Sequence, residues 1–216
     1  MSAAGEDRRW KLQPPIRYGI TNRRLAPDLS VEAYWAALAR TSAQILQLRE
    51  KDLSPAELQR WIAVAVEACR NAGRLLMVNS AWEEAVRGGA AGVHLPATVN
   101  LAETVPRIRS CTPPSFLVGF SAHSLDEARR GAEEGADYLL VAPVRSPLSK
   151  TDSRPVLGWE GLAAIAASTN IPVLALGGVG PQDEERALES GAVGIAGISW
   201  LHEELRRLLV RRKSGR

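Results

Sequence analysis

The sequence is 216 residues long and 45% hydrophobic, with a formal net charge of +3. This length supplies one sizeable hydrophobic core and is too short for two full domains. The excess of lysine and arginine lies near the two ends, which is typical of solvated termini, and no basic stripe between them indicates binding to nucleic acid. No segment approaches the roughly 20 apolar residues that a membrane span requires, so we expect a soluble, cytoplasmic protein without membrane or nucleic-acid partners.

Short apolar segments alternate with longer amphipathic segments eight times along the chain. We interpret the apolar segments as strands, at residues 18–21, 45–48, 75–78, 92–95, 117–121, 138–141, 173–176 and 194–197. Several of them are almost wholly apolar, as parallel strands covered on both faces must be. The alternation therefore predicts a parallel sheet with crossover helices.

The segments between the strands carry helix start and stop signals. Ser54, Ser80 and Ser124 are each followed three residues later by glutamate, which is the pattern of a capping box. We therefore expect helices to begin beside these three serines. Glycines are expected to end three helices, at Gly88, Gly135 and Gly191.

Eight strands with right-handed crossovers can close into a barrel or remain an open doubly wound sheet. The count of eight favours closure, and the segment after the first strand, residues 20–24, lacks the glycine-rich turn of an open nucleotide-binding sheet. The predicted fold class is therefore α/β, a single (β/α)8 TIM barrel. We place the barrel at residues 17–205, a disordered N-terminal extension at 1–16 and a basic C-terminal tail at 206–216.

The functional groups of such a barrel lie just past the C-terminal ends of its strands. After the second strand, Gln47, Arg49 and Lys51 alternate onto one side, and two cations aimed at one place suit a phosphate or diphosphate. The alternative is that Arg49 and Lys51 pair with Glu50, Asp52 or other carboxylates at the rim.

Further polar side chains follow the third and fifth strands. Asn79 follows the third, and Ser121 and His123 follow the fifth. An imidazole can transfer a proton near neutral pH, although His123 could instead cap the helix that follows it. We expect a structural or orienting role for His94, and a surface position for His202 in the last helix.

The last two strands end in glycine-bearing turns. Such turns let backbone amides approach an anion, and many TIM barrels bind phosphate after strands 7 and 8. The residues predicted to bind it are Gly177, Gly178, Gly197, Ile198 and Ser199. The long polar loop after strand 6 resembles a lid over a phosphorylated ligand, and it supplies two further candidates, Ser149 and Lys150.

In their order and spacing, these segments resemble the thiamine-phosphate synthase and thiazole tautomerase family from about Tyr18 to Leu201. The shared segments are residues 47–51, 92–95, 119–124, 135–138, 143–144, 150, 171–173, 177–178 and 197–199. The resemblance implies a barrel, often dimeric, that handles the phosphorylated thiazole precursor of thiamine. In a synthase of this family, the residues matching Arg49, Lys51, Asn79 and Lys150 hold a pyrimidine diphosphate.

The resemblance also implies two magnesium-binding aspartates in a synthase, but the matching positions hold Ser80 and Val99. Magnesium prefers carboxylate oxygens, so their loss argues against the synthase. In the loop before Lys150, the hydroxyl of Ser149 is kept and the one expected at Pro147 is not. The thiazole phosphate corner and His123 are kept, which favours the tautomerase branch.

We therefore expect a metal-independent thiazole tautomerase-like isomerase without a cofactor, in which His123, Lys51 and Ser121 are catalytic. Gln47 joins the predicted substrate-binding residues. The alternatives are a thiamine-phosphate synthase-like transferase with an altered magnesium site, or a noncatalytic protein that binds a thiamine precursor. The expected partners are phosphorylated thiazole and pyrimidine metabolites and, as one possibility, a second copy of the chain.

Overall fold

The structure is a computed structural model that describes residues 12–146 and 155–214. Eight parallel strands follow one another around a closed barrel in chain order, and the eighth pairs with the first. The strands are β1 Ile16–Ile20, β2 Ile45–Leu48, β3 Leu75–Asn79, β4 Gly92–Leu95, β5 Leu117–Ala122, β6 Tyr138–Val141, β7 Val173–Ala175 and β8 Gly194–Gly197. The predicted TIM barrel is confirmed, and every predicted strand is present.

A helix follows each strand and covers the outside of the barrel. The helices are α1 Val31–Leu38, α2 Pro55–Asn71, α3 Trp82–Gly88, α4 Leu101–Cys111, α5 Leu125–Glu133, α6 Gly158–Ser168, α7 Glu184–Glu189 and α8 Ser199–Ser214. Because α8 continues to Ser214, residues 206–214 form part of this helix, although the sequence analysis assigned them to a tail. No helix in the described ranges is long and apolar enough to cross a membrane.

The three predicted capping boxes have different outcomes. At Ser54 both hydrogen bonds of the box are present, as predicted. At Ser124 the hydroxyl accepts from the Glu127 amide, but the Glu127 carboxylate accepts from the His123 amide, so the box is only half formed. The prediction at Ser80 is wrong: its φ of 63° differs from the extended backbone of an N-cap, and α3 begins after Ala81 without a side-chain cap.

Two of the three predicted helix stops are in place. Gly135 and Gly191 follow α5 and α7 with φ of 92° and 81°, the left-handed conformation that glycine adopts without a steric penalty. The third stop is displaced by one residue, since Gly88 is the last residue of α3 and Gly89 takes the left-handed conformation.

The apolar residues form two separate cores. The larger lies between the strands and the surrounding helices, and the smaller fills the barrel interior, where Tyr18 and Tyr138 are both fully buried. Side chains therefore close the middle of the barrel. Ligands can enter only at its ends, and the chemistry-bearing residues lie at the C-terminal end.

Candidate phosphate and substrate site

The turns after β7 and β8 lie side by side and face one cavity. Leu174 and Ala175 of β7 pair in register with Gly194 and Ile195 of β8, which brings the two strand ends together. A cavity of about 850 Å³ opens at this place. All five predicted phosphate-binding residues line it, namely Gly177, Gly178, Gly197, Ile198 and Ser199.

The backbone amides at the start of α8 donate to no carbonyl of the described residues, which suits this cavity to an anion. The first backbone bond of the helix runs from His202 N to Ile198 O at 3.2 Å, so the amides of residues 199–201 precede any carbonyl of the helix to which they could donate. The positive end of the helix dipole adds to their attraction for a phosphate. Ser199 is exposed, and a ligand can reach its amide from the solvent.

The two glycines after β7 also have a packing role. Gly177 and Gly178 adopt positive φ of 91° and 65°. A β-carbon at Gly178 would lie 2.5 Å from the carbonyl oxygen of Ser146, and one at Gly177 would lie 2.9 Å from the α-carbon of Pro143. The close approach of the loop after β6 is therefore sufficient reason for both glycines, and the amide of the exposed Ser199 carries the argument for anion binding.

A second polar group lies at the ends of β2 and β3. The buried Gln47 donates from Nε2 to Oδ1 of Asn79 at 3.0 Å, and Asn79 in turn donates to the Ser80 hydroxyl at 2.9 Å. The Oε1 atom of Gln47 is buried and accepts no hydrogen bond from the described residues. A buried amide oxygen without a donor is costly, so a ligand N–H or O–H is its expected partner.

The acidic neighbours of Arg49 and Lys51 pair with other cations. Glu50 and Asp52 both accept from Arg23, at 3.5 and 2.5 Å. Hydrogen bonds from Arg23 and Arg24 lower the pKa of Asp52 to about 2. Within the described residues no carboxylate lies within 4.0 Å of either Arg49 or Lys51, and the alternative of rim ion pairs is therefore not observed. Sequence analysis missed the role of Arg23, although its place after β1 was a signal.

Ser121 lies between the mouth of the barrel and its interior. Its hydroxyl is 2.9 Å from Nε2 of His94, and His94 Nδ1 is 3.3 Å from the Tyr138 hydroxyl. Burial, together with the positive charge of Arg49, lowers the pKa of His94 to about 3. Arg49 directly follows β2, so it lies at the C-terminal end of the barrel.

His123 is half-buried at the rim between β5 and β6. Its Nδ1 lies 2.6 Å from the carbonyl oxygen of Ala142, which can only accept, so Nδ1 carries the ring proton of the neutral imidazole. Nε2 is then the basic nitrogen. The lining of the cavity after β7 and β8 includes none of the polar residues discussed at the other strand ends, namely Gln47, Arg49, Asn79, Ser121 and His123. Among the described residues, the rim thus carries two groups of polar residues, and only one of them lines this cavity.

The expected surface position of His202 is wrong. The side chain is buried between α1 and α8, with Nε2 2.9 Å from the Tyr34 hydroxyl and Nδ1 2.8 Å from the Ile198 carbonyl. Ser149 and Lys150, predicted to bind substrate, lie outside the described residues, as do residues 1–11 of the expected N-terminal extension.

A sequence model named TMP-TENI, thiamine monophosphate synthase, matches residues 17–201. The chain belongs to this family. A putative thiamine-phosphate synthase 2 from Aquifex aeolicus is 34% identical over 192 residues, which are 89% of this chain and 100% of the relative. A thiamine-phosphate synthase from Methanoculleus marisnigri is 36% identical over 74% of this chain and 75% of its own length.

A solved structure of another protein supports the same assignment. Thiamine phosphate pyrophosphorylase from Pyrococcus furiosus superimposes with a TM-score of 0.73 and 30% identity, over 91% of this chain and 96% of that one. The names of these relatives favour the transferase over the tautomerase that the sequence analysis expected. They also place the family in thiamine biosynthesis.

Magnesium, which a synthase of the thiamine monophosphate synthase family uses, does not fit the residues present. The matching positions carry the Ser80 hydroxyl, which accepts from Asn79, and the half-buried isopropyl group of Val99. Among the described residues no group of three or more His, Cys, Asp or Glu could hold a metal ion. A hydroxyl and a hydrocarbon do not supply the carboxylate oxygens that magnesium prefers.

Proposed function

We propose that this chain is a transferase of thiamine biosynthesis that joins a phosphorylated thiazole to a pyrimidine diphosphate at the C-terminal rim of the barrel. The observation that carries the proposal is the presence of two separate places for anions. One is the amide-lined cavity after β7 and β8, and the other is the pair Arg49 and Lys51 after β2. The names of the relatives support the same reaction.

In this proposal the thiazole phosphate binds at Gly178 and the α8 N-terminus. Arg49 and Lys51 hold the diphosphate, and Asn79 donates to it from the adjacent strand. The bond from the pyrimidine methylene carbon to the diphosphate oxygen breaks, with its electron pair leaving on the oxygen, and the thiazole nitrogen forms the new bond to that carbon. Two cations near the leaving group stabilise the charge that develops there.

A second candidate function is thiazole tautomerisation, and two observations favour it. Ser80 and Val99 leave the expected metal positions without carboxylates, and His123 has its Nδ1 proton held by Ala142 O. Nε2 of His123 could then take a proton from one ring carbon of the thiazole and return it to another. This reaction needs one phosphate site and leaves no second phosphate group for Arg49 and Lys51 to hold, although the sequence analysis counts Lys51 among its catalytic residues.

The two candidates separate in one assay of the purified protein. The protein is incubated with thiazole phosphate, with and without the pyrimidine diphosphate, each with and without magnesium. Formation of thiamine phosphate supports the transferase, whereas isomerisation of the thiazole tautomer without the second substrate supports the tautomerase. Thermal stabilisation by thiazole phosphate without either product would instead identify a noncatalytic binding protein.

Two variants connect the assay to the rim. Arg49→Gln should raise the Kd of inorganic diphosphate by about 10-fold or more, since it removes a charge-assisted contact worth about 1.5–3 kcal/mol. Inorganic phosphate binding at the β7/β8 corner should be unchanged in the same variant, since Arg49 does not line that cavity. His123→Gln should abolish the tautomerase reaction and leave phosphate binding nearly intact, and unchanged tautomerisation would remove His123 from that mechanism.

A further inference from the structure

The carbonyl oxygen of Ile198 accepts two hydrogen bonds from one residue, His202. Ile198 joins β8 to α8, and its oxygen lies 3.2 Å from the His202 amide nitrogen and 2.8 Å from Nδ1 of the His202 ring. The ring is 1% exposed between α1 and α8, where its Nε2 lies 2.9 Å from the Tyr34 hydroxyl. The ring therefore adds a second and shorter bond to an oxygen that already accepts the first bond of the helix.

The acceptor fixes the direction of the bond from the ring. A carbonyl oxygen has no proton to give, so Nδ1 of His202 must carry a proton and donate it. The bond is the same in the neutral ring, where Nε2 is bare and accepts from the Tyr34 hydroxyl, and in the charged ring, where both nitrogens carry protons. A bare Nδ1 would instead place two lone pairs against each other at 2.8 Å.

The bonds to the Ile198 oxygen also fix the direction of the Ser199 amide. The Ile198 carbonyl and the Ser199 N–H belong to one trans peptide group, in which they point in opposite directions. His202 lies one turn further along α8 and holds the oxygen toward the body of the helix. The Ser199 N–H therefore points out of the N-terminal end of the helix, where both residues of this peptide line the cavity after β7 and β8.

The residue before α8 leaves the amides of the first turn to a ligand. Most helices begin after a serine, threonine, aspartate or asparagine, whose side-chain oxygen accepts from one of these amides. Ile198 occupies that position here, and its hydrocarbon side chain has no oxygen to offer. The peptide at the helix start is thus held from the carbonyl side by His202, and its amide side stays open to the cavity.

We propose that His202 is a positioning residue, whose Nδ1–H holds the Ile198 carbonyl and thereby directs the Ser199 amide toward the phosphate of a bound ligand. His202 is not part of the lining of the cavity, so it acts through the backbone and does not touch the ligand. The inference rests on the phosphate site of the proposed function. It applies equally to the transferase and to the tautomerase, since both bind a thiazole phosphate there.

The first test measures the ring protons of His202 in the free protein. The sequence has three histidines, so ¹⁵N-histidine labelling gives few ring signals, and the signals absent from His202→Asn belong to His202. The expected result at neutral pH is a proton on Nδ1. A bare Nδ1 would overturn the proposal whatever reaction the protein performs.

The second test measures phosphate binding at Ser199 itself. Inorganic phosphate is titrated into ¹⁵N-labelled protein, and the Kd is taken from the shift of the Ser199 amide signal, which reports on this corner alone. His202→Phe keeps a ring without a donor and should raise the Kd about three- to tenfold, as expected for one lost hydrogen bond between neutral groups. His202→Asn should recover most of the affinity, because its side-chain nitrogen can donate from the position of Nδ1.

A matched control removes a similar bond at the other end of the barrel. The Thr41 hydroxyl, in a residue that is 1% exposed, donates to the Leu38 carbonyl at 2.6 Å just before β2. Thr41→Val should lower the stability and leave the Kd of phosphate unchanged. An equal rise of the Kd in Thr41→Val and His202→Phe would show that lost stability, and not the direction of the Ser199 amide, weakens binding.

The outcomes separate this inference from the proposed function. Should His202→Phe fail to fold, Tyr34→Phe combined with His202→Phe replaces it, because that pair leaves no buried hydroxyl without its partner. Phosphate binding that is equally tight in wild type and in the variants without a donor at 202 would refute the positioning role alone. A wild type that binds no phosphate at Ser199 would refute the phosphate corner of the proposed function, and the positioning role with it.

Discussion

Burial of His94 predicts how the stability of the protein depends on pH. His94 has a pKa lowered to about 3 by burial, whereas in the unfolded chain it returns to its ordinary value of 6.5. Between these two values the unfolded state binds more protons than the folded state, so the free energy of unfolding falls as the pH falls. The contribution of His94 is complete above pH 6.5 and is lost progressively toward pH 3.

The size of the effect follows from the two pKa values. From pH 6.5 to pH 5, His94 should lower the free energy of unfolding by about 1.6 kcal/mol, an average of about 1.1 kcal/mol per pH unit against a limiting slope of about 1.4 kcal/mol per pH unit. Burial lowers the pKa of His202 as well, which adds a loss of the same sign. Burial raises the pKa of Glu50, and this contribution has the opposite sign. The contributions of His202 and Glu50 are the same in wild type and in a His94 variant, so they cancel when the two proteins are compared.

Urea unfolding at pH 6.5 and pH 5 measures this difference. The decrease in unfolding free energy between the two pH values should be smaller in His94→Gln than in wild type by about 1.6 kcal/mol. Ser121→Ala is the control, since it removes a partner of the imidazole but keeps the buried ring, and it should retain the pH dependence. An equal decrease in wild type and His94→Gln would refute the argument, because the ring would then not be held neutral.

Three further predictions concern a glycine turn, a helix cap and the expected metal positions. Gly178→Ala should lower the free energy of unfolding by about 1–2 kcal/mol because of its left-handed backbone, and by more because of the contact with the Ser146 carbonyl. The same variant should bind phosphate more weakly. The control is Gly73→Ala, which has the same φ of 65° and no atom within 4 Å of the added β-carbon, and its thermal unfolding should show the backbone cost alone. Ser54→Ala should lower the unfolding free energy by about 1 kcal/mol, measured in urea, and no loss would mean that its capping box contributes nothing. Ser80→Asp combined with Val99→Asp should bind magnesium measurably by calorimetry, and a folded double variant without affinity would show that these are not the metal positions.

Much of the fold could be predicted because the apolar strands and their turn residues carry local signals. Four strands have the predicted bounds, and Ser54 caps its helix as its sequence pattern requires. The same pattern failed at Ser80, since the chain after β3 makes an extra turn in which Ala81 N bonds to Asn79 O and Trp82 N to Ser80 O. That turn is set by the neighbouring strand end, and a four-residue pattern does not contain it.

The candidate site was predictable only in part, for a related reason. Residues just after the strands could be identified because a barrel brings all strand ends to one rim, and this placed Gly178, Ser199 and Arg49 correctly at its C-terminal end. The buried tyrosines of the barrel interior gave no such signal. Tyr18 and Tyr138 are 120 residues apart, and only the closure of the barrel brings their hydroxyls together.

The distribution of charge at the rim bears on how a diphosphate could leave without carboxylate-bound magnesium. Glu50 and Asp52 are the carboxylates next to Arg49 and Lys51 in the sequence, and both are paired with Arg23. The pairing keeps two cations available at the end of β2, and Asp52 also pairs with Arg24 at 3.1 Å. Arginine side chains donate to phosphate oxygens in the bidentate geometry and keep their charge at every accessible pH. In the proposed transfer, Arg49 and Lys51 would therefore offset part of the charge of the leaving diphosphate, and serine and valine at positions 80 and 99 are compatible with that proposal.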